Sequence, residues 1–234
     1  MNRSCPALLL WVALAATGCV HASRSARMLG AAGPLVPERG APPLVRVGDP
    51  VGLRLANRAE HLLHQGGSLV RRDCSGLVET VFADVGLALP TADHVRGGGV
   101  AHEYAGFRRD GALHRDRALP GDLAFFHDTY DRNRDGRVDD PLTHVAVVTR
   151  VGLDGSVELV HFGSHGLARL RMDLSAPHVH RDRRGHTLND WLRVRHRHDP
   201  PHTSYLSSEL FVAFGRAPDA PADRTVPAAA SARR

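Results

Sequence analysis

The apolar residues of this chain change period once, and that change limits the folds open to it. Between residues 49 and 86 they recur at helical spacing. Asp49 and Pro50 read as an N-cap and first helical residue; Leu55, Ala59, Leu62 and Leu63 share one face; Gly66 stops the run. A second helix follows Cys74, with Leu77, Val78, Val81, Phe82 and Val85 in step up to Gly86. Residues 91–117 are polar and Gly-rich and read as loop with short elements. From residue 121 the runs become strand-like: "GDLAFFH", "HVAVVTRV" and "VELVHFG", with "GLDG" as the turn between the last two. "SELFVAFGR" reads as an added edge strand. Helices followed by antiparallel strands predict an α+β fold.

The two ends read differently. Residues 1–19 carry Arg3, an apolar run from Ala7 to Ala16, and then "TGC". That run is too short to span a bilayer but suits a signal peptide. Small residues ahead of Cys19 are similar to the lipobox of bacterial lipoproteins, which implies cleavage and acylation at Cys19. The alternative is an ordinary signal peptide cut after "VHA". Either way the expectation is export, with the lipoprotein reading placing the protein on a membrane facing the periplasm. Residues 20–47, rich in Gly, Pro and Ala, read as a tether, and 217–234 as a disordered tail. The folded body is then 48–216, large enough for a real core.

The formal charge is +5, from 30 basic and 25 acidic residues, and every basic residue is arginine. The arginines are scattered and aromatics are few, so no nucleic-acid partner is expected. A basic exported protein suits an anionic envelope surface.

The chain has three cysteines, at positions 5, 19 and 74. Export leaves Cys74 without a disulfide partner, so it is either a buried small hydrophobe or a reactive thiol. Its setting, "RRDCSGLVETVF", puts it where a loop becomes a helix. Unpaired N–H groups and the helix dipole favour negative charge there, which predicts an easily ionised thiol and a place for an oxyanion. Asp73 reads as the helix cap rather than a reacting group, and Ser75 completes the motif. A cysteine nucleophile needs a base, and His144 opens the strand "HVAVV". His161 lies in the next strand; pairing around Asp154 and Gly155 brings it opposite 147 or 148, near enough to orient the His144 ring. His165 lies close by.

"DCSGLVETVFADVGLALP", "LPGDLAFF", "HVAVV" and "VELVHFGS", in that order over residues 73–164, resemble the NlpC family of papain-like bacterial cell-wall cysteine peptidases, whose relatives include the CHAP amidases. The resemblance implies a small papain-like fold, an antiparallel sheet packed on the helix that carries the cysteine. It implies Cys74 as nucleophile, His144 as base and His161 as third polar residue. It also implies peptidoglycan as partner, through γ-D-glutamyl–diamino acid links in stem peptides. Many members carry a tyrosine just before a Gly-Gly upstream of the cysteine; here "LLHQGGSLVRRDCSG" has none. Residues 165–216 exceed the minimal domain.

An insertion at 128–142, "DTYDRNRDGRVDDPLTH" with its flanks, precedes His144. Asp131, Asn133, Asp135 and Asp139, with Gly136 and the Arg137 carbonyl, match the first part of a calcium loop. Position 12 is Leu142 instead of glutamate, and Asp140 is the candidate substitute. A structural calcium ion is expected there, and no cofactor for catalysis. The histidines from 178 to 202 lack a fixed metal spacing and read as a solvated basic segment. The expected function is an exported, lipid-anchored cell-wall hydrolase cleaving peptidoglycan amides by a Cys–His–His thiol mechanism. Two alternatives stand beside it: a CHAP-type amidase for the muramoyl–alanine bond, and an inactive calcium-stabilised envelope-binding lipoprotein.

Overall fold

The computed structural model describes residues 48–218. The signal segment, Cys19, the tether and nearly all of the tail lie outside the described residues.

Helix α1, Pro50–Gln65, starts as its cap residues predict: the Asp49 side chain accepts from the Gly52 N–H at 2.7 Å. Helix α2, Cys74–Val85, is capped by Asp73, whose Oδ1 accepts from the Gly76 N–H at 2.6 Å, and it ends on left-handed Gly86. Gly76 has no substitute in this turn, because a Cβ there would lie 2.1 Å from the Arg71 carbonyl oxygen. Thr80 locks the same turn: its hydroxyl donates to Gly76 O and accepts from the Val70 N–H. Cys74 is thus fixed at the first helical position by groups on both sides of it.

Residues 91–117 contain a full helix, α3, Gly99–Arg109, and a two-residue strand, β1, Leu113–His114. Its glycine-rich start hid α3, since Gly98 and Gly99 lower local propensity without forbidding the helix. Gly99 is needed where it stands; a Cβ there would meet Ser75 Oγ at 2.6 Å. Close contact of α3 with the start of α2 requires it.

The remaining strands are β2, Leu123–Phe126, β3, His144–Val151, β4, Val157–Gly163, β5, Gly166–Met172, and β6, Phe211–Gly215, with a short helix α4, Ser207–Leu210, before β6. All pair antiparallel in the order β1-β6-β2-β3-β4-β5. This is the α+β, papain-like arrangement, with the antiparallel sheet packed on the cysteine-bearing helix. β6 is not an edge strand; it pairs on both sides. β5 alternates as a half-buried strand does, Leu170 and Met172 inward and Arg169 and Arg171 outward, and is absent from the sequence reading.

Both faces of the sheet are covered, which is why β2 is buried at every position. On one face Leu123, Phe125, Val145, Val147 and Val160 meet α1, α2 and α3. On the other, Ala124, Phe126, Ala146, Val148, Leu159 and Met172 meet Leu210 and the C-terminal segment through Leu192.

Candidate active site

β3 and β4 set the histidines. Val151 pairs with Val157, but a bulge at Thr149 shifts the register so that Val148 faces Leu159 and Val147 faces Val160. His161 therefore lies opposite Ala146, one step closer to His144 than simple pairing around the turn gives. The step decides the chemistry: opposed residues share a face, and 146 shares one with 144, whereas 147 does not. The two rings meet edge to face, 5.1 Å between centroids, with His144 Nε2 3.0 Å from His161 Nδ1. This contact occupies Nε2 of His144 and leaves Nδ1 for another partner.

Cys74, His144 and His161 line one cavity of about 800 Å³, together with Asp73, Tyr130 and Trp191. Cys74 is a free thiol. The backbone N–H groups of Val145 and Ser75 both favour negative charge on its sulfur, so the thiol sits against the peptide that follows His144. Burial nevertheless dominates. It pushes the Cys74 thiol up to about 11, with further upward push from the charges of Glu103 and Asp73. The easily ionised thiol expected at a helix N-terminus is corrected accordingly: desolvation outweighs the helix amides. Burial also pushes His144 down to about 3, helped by its neighbour His161, and His161 down to about 4. The resting site is a neutral thiol beside two neutral imidazoles.

Four residues of this site had no signal in the sequence reading. Tyr130 stands half exposed in the cavity wall, and its phenol is pushed upward by burial and then by the charge of Cys74. Its neighbours are pinned: the Thr129 N–H and hydroxyl both donate to Thr143 Oγ1, and the Arg132 N–H donates to Asp140 Oδ2. The insertion thus brings a tyrosine to the cysteine from a part of the chain far from the upstream position that lacks one. Asp190 is the second; its charge raises the His161 imidazole against the effect of burial. Glu103 of α3 is the third. It is 1% exposed, and burial pushes its carboxyl up to about 7 against the opposing pull of the nearby Ser75 hydroxyl. Trp191 is the fourth, and lies in the segment read as solvated. That segment is docked: Leu192 and Arg193 donate backbone N–H bonds to Tyr205 O, and buried Arg193 reaches Asp128 O and Asp199. Only a tyrosine or tryptophan at a known distance from a motif could have flagged Tyr130 and Trp191, and neither has one.

The calcium-loop residues are ordered by bonds within the loop itself. Among the described residues no group of three or more His, Cys, Asp or Glu side chains is placed to hold a metal ion. Asp131 accepts from the Asp135 and Gly136 N–H groups, Asn133 from the Asp135 N–H, and Asp135 from the Arg137 N–H. Asp139 is exposed, and Asp140 is buried, held by the backbone N–H and the guanidinium of Arg132.

Residues 60–148 match the model of the NlpC/P60 family. No curated protein and no solved structure gives a significant match. With the antiparallel sheet on the cysteine-bearing helix, this segment defines the class, a papain-like α+β cysteine peptidase fold. That segment is similar to the NlpC/P60 family, whose members are cell-wall peptidases acting on peptidoglycan. The matched segment contains Cys74, His144 and Tyr130; it ends before His161.

Proposed function

We propose that this protein is an exported cysteine hydrolase that cleaves amide bonds in peptidoglycan stem peptides with Cys74 as nucleophile, His144 as base and His161 as the residue that orients the base. The observation that carries the reading is the 3.0 Å contact from His144 Nε2 to His161 Nδ1 beside a partnerless thiol in the same cavity. For His144 Nδ1 to accept a proton, Nε2 must carry one and donate it to His161 Nδ1. That fixes both tautomers, with His161 protonated at Nε2.

Because the resting groups are neutral, proton transfer accompanies attack. Cys74 Sγ bonds to the amide carbonyl carbon as its proton passes to His144 Nδ1. The charge on His144 is then shared with His161 and favoured by Asp190. Of the helix N-terminal amides, Gly76 N–H is taken by Asp73 and Ser75 N–H points at the sulfur, which leaves Cys74 N–H for the oxyanion. The Tyr130 hydroxyl supplies the second donor. Collapse returns the His144 proton to the leaving amine and leaves a thioester on Cys74. Water then adds to the thioester, giving its proton to His144, and the thiol is regenerated with release of the acid.

The sequence at 1–19 supports export and acylation at Cys19, anchoring the enzyme to a membrane with its domain facing the periplasm. Recovery of a native protein free of lipid, beginning at residue 23 or later, would remove the anchor and leave the catalytic reading intact. The test of function is digestion of purified sacculi with the wild-type protein and with Cys74→Ala, with released fragments identified by mass spectrometry. The wild type releases peptide fragments with new carboxyl termini and the variant none. Release by neither, or equally by both, would end the proposal.

A further inference from the structure

Among the described residues two aromatic side chains are strongly exposed, Tyr130 at 47% and Trp191 at 59%, and both line the cavity of Cys74. Tyr130 has chemistry to do beside the thiol. Trp191 has none, yet it is held more firmly than an exposed side chain needs to be. It bridges to Leu206, and its ring packs against His180 at 4.9 Å and Tyr205 at 6.3 Å. The residue before it is fixed to β5 by exchange with Arg171: Asp190 Oδ2 accepts from the Arg171 N–H and the Asp190 N–H donates to Arg171 O. Val194, 57% exposed, lies in the same wall. Asp190 acts electrostatically on His161, so the indole stands one residue from a group that reaches the histidine pair.

A rigid indole costs little entropy to bind against and offers a flat apolar face. The rim of the same cavity is polar: Arg72, stacked over Phe162 at 5.9 Å, with Ser164 and His165. A purely apolar ligand would strip water from those groups without replacing its hydrogen bonds. Alanine methyls and carboxylates of a stem peptide have no flat face to lay on the indole. A pyranose ring has both parts, a face of C–H bonds and an edge of hydroxyl and acetamido groups.

We propose that Trp191 is the platform of a saccharide subsite, on which a sugar ring of the glycan strand stacks while the attached stem peptide reaches Cys74. This rests on the reading of the site as a peptidoglycan hydrolase and makes the glycan part of the recognised substrate. Trp191 and the strip that holds it lie outside residues 60–148, whereas Arg72 of the rim lies within them.

The test compares a disaccharide-peptide muropeptide with the same peptide lacking sugar. The wild type has a KM about tenfold lower for the muropeptide, equivalent to about 1.4 kcal/mol. Trp191→Ala loses that difference, and Trp191→Phe keeps most of it. Equal KM values in the wild type, a preference retained in Trp191→Ala, or equal loss on both substrates would each overturn the subsite. If the wild type turns over neither substrate, the catalytic reading fails on its own. The subsite is then judged by titrating Cys74→Ala with the muropeptide and with the sugar-free peptide: a change in indole fluorescence with the first alone supports it, and none with either refutes it.

Discussion

The segment that matches the family, residues 60–148, and the segment that follows it, 149–216, build the site in different ways. The first does so by local rules. Asp73 caps a helix, Gly76 lets the Arg71 loop close over it, and Cys74 falls at the first helical turn. The second acts at long range: a bulge at Thr149 turns His161 to the correct face, and a docked strip brings Asp190 and Trp191 to the cavity. The comparison teaches that the reacting atoms are fixed by short-range structure, whereas their protonation and the shape of the substrate groove depend on residues far along the chain.

The largest effects should fall in the first segment. His144→Ala is expected to lower kcat by about 10²–10⁴-fold, the usual worth of a positioned general base. Steady-state kinetics on a soluble peptide checks this, and a loss under tenfold would mean that His144 is not the base. Next is Tyr130→Phe, which removes the proposed second oxyanion donor and should lower kcat by about 10²-fold with little change in KM. A change confined to KM would move Tyr130 from the oxyanion to substrate binding.

In the second segment effects should be smaller. His161→Asn keeps an acceptor for the His144 N–H and should retain part of the activity, whereas His161→Ala should retain less. Equal loss in both would show that the ring, not the hydrogen bond, matters.

Glu103 sharpens the comparison from within the first segment. Its carboxyl titrates upward from 4.5 to about 7 in the folded protein. A raised carboxyl holds its proton more tightly when folded, so its contribution is fully present below about 4.5 and is lost as pH rises through about 7. Glu103→Gln mimics the protonated form and should stabilise the protein at pH above 7 by on the order of 1–3 kcal/mol, and little in acid. The variant also removes a charge that disfavours the thiolate, so alkylation of Cys74 should begin at lower pH. Thermal melts across pH, with alkylation rates, check both. A melting difference independent of pH would mean Glu103 is already neutral throughout. The two buried histidines act oppositely: held neutral in the fold, they cost stability as pH falls below the 6.5 of a free imidazole.

The smallest expected effect concerns the insertion. With Asp131 and Asp135 engaged by the loop's own N–H groups, calcium or chelator should leave the melting temperature within error. A calcium-dependent rise lost in Asp135→Ala would instead make the insertion a metal-bound support for Tyr130 and His144.

Much of this was legible in the sequence because it depends on neighbours. The caps at Asp49 and Asp73, both long helices and the strands β2, β3 and β4 follow from spacing, whereas the joint placement of Cys74 and His144 was implied by the family resemblance. What was hidden depends on tertiary context. The Thr149 bulge leaves no mark on the pattern, α3 begins on glycines, and β5 carries arginines that pair with Glu60 and Glu158 across elements. The thiol's protonation was misread for the same reason: the helix amides are local, but the burial that outweighs them comes from the whole fold.

The central claim is that Cys74 is the attacking group and rests as a buried neutral thiol. Its most direct test is to alkylate the native protein with iodoacetamide at mildly alkaline pH, measuring labelling at Cys74 by peptide mass mapping and remaining activity in parallel. The account predicts slow labelling that quickens as pH rises, with activity lost in strict proportion to modified Cys74. Full activity in protein whose Cys74 is completely modified would contradict it.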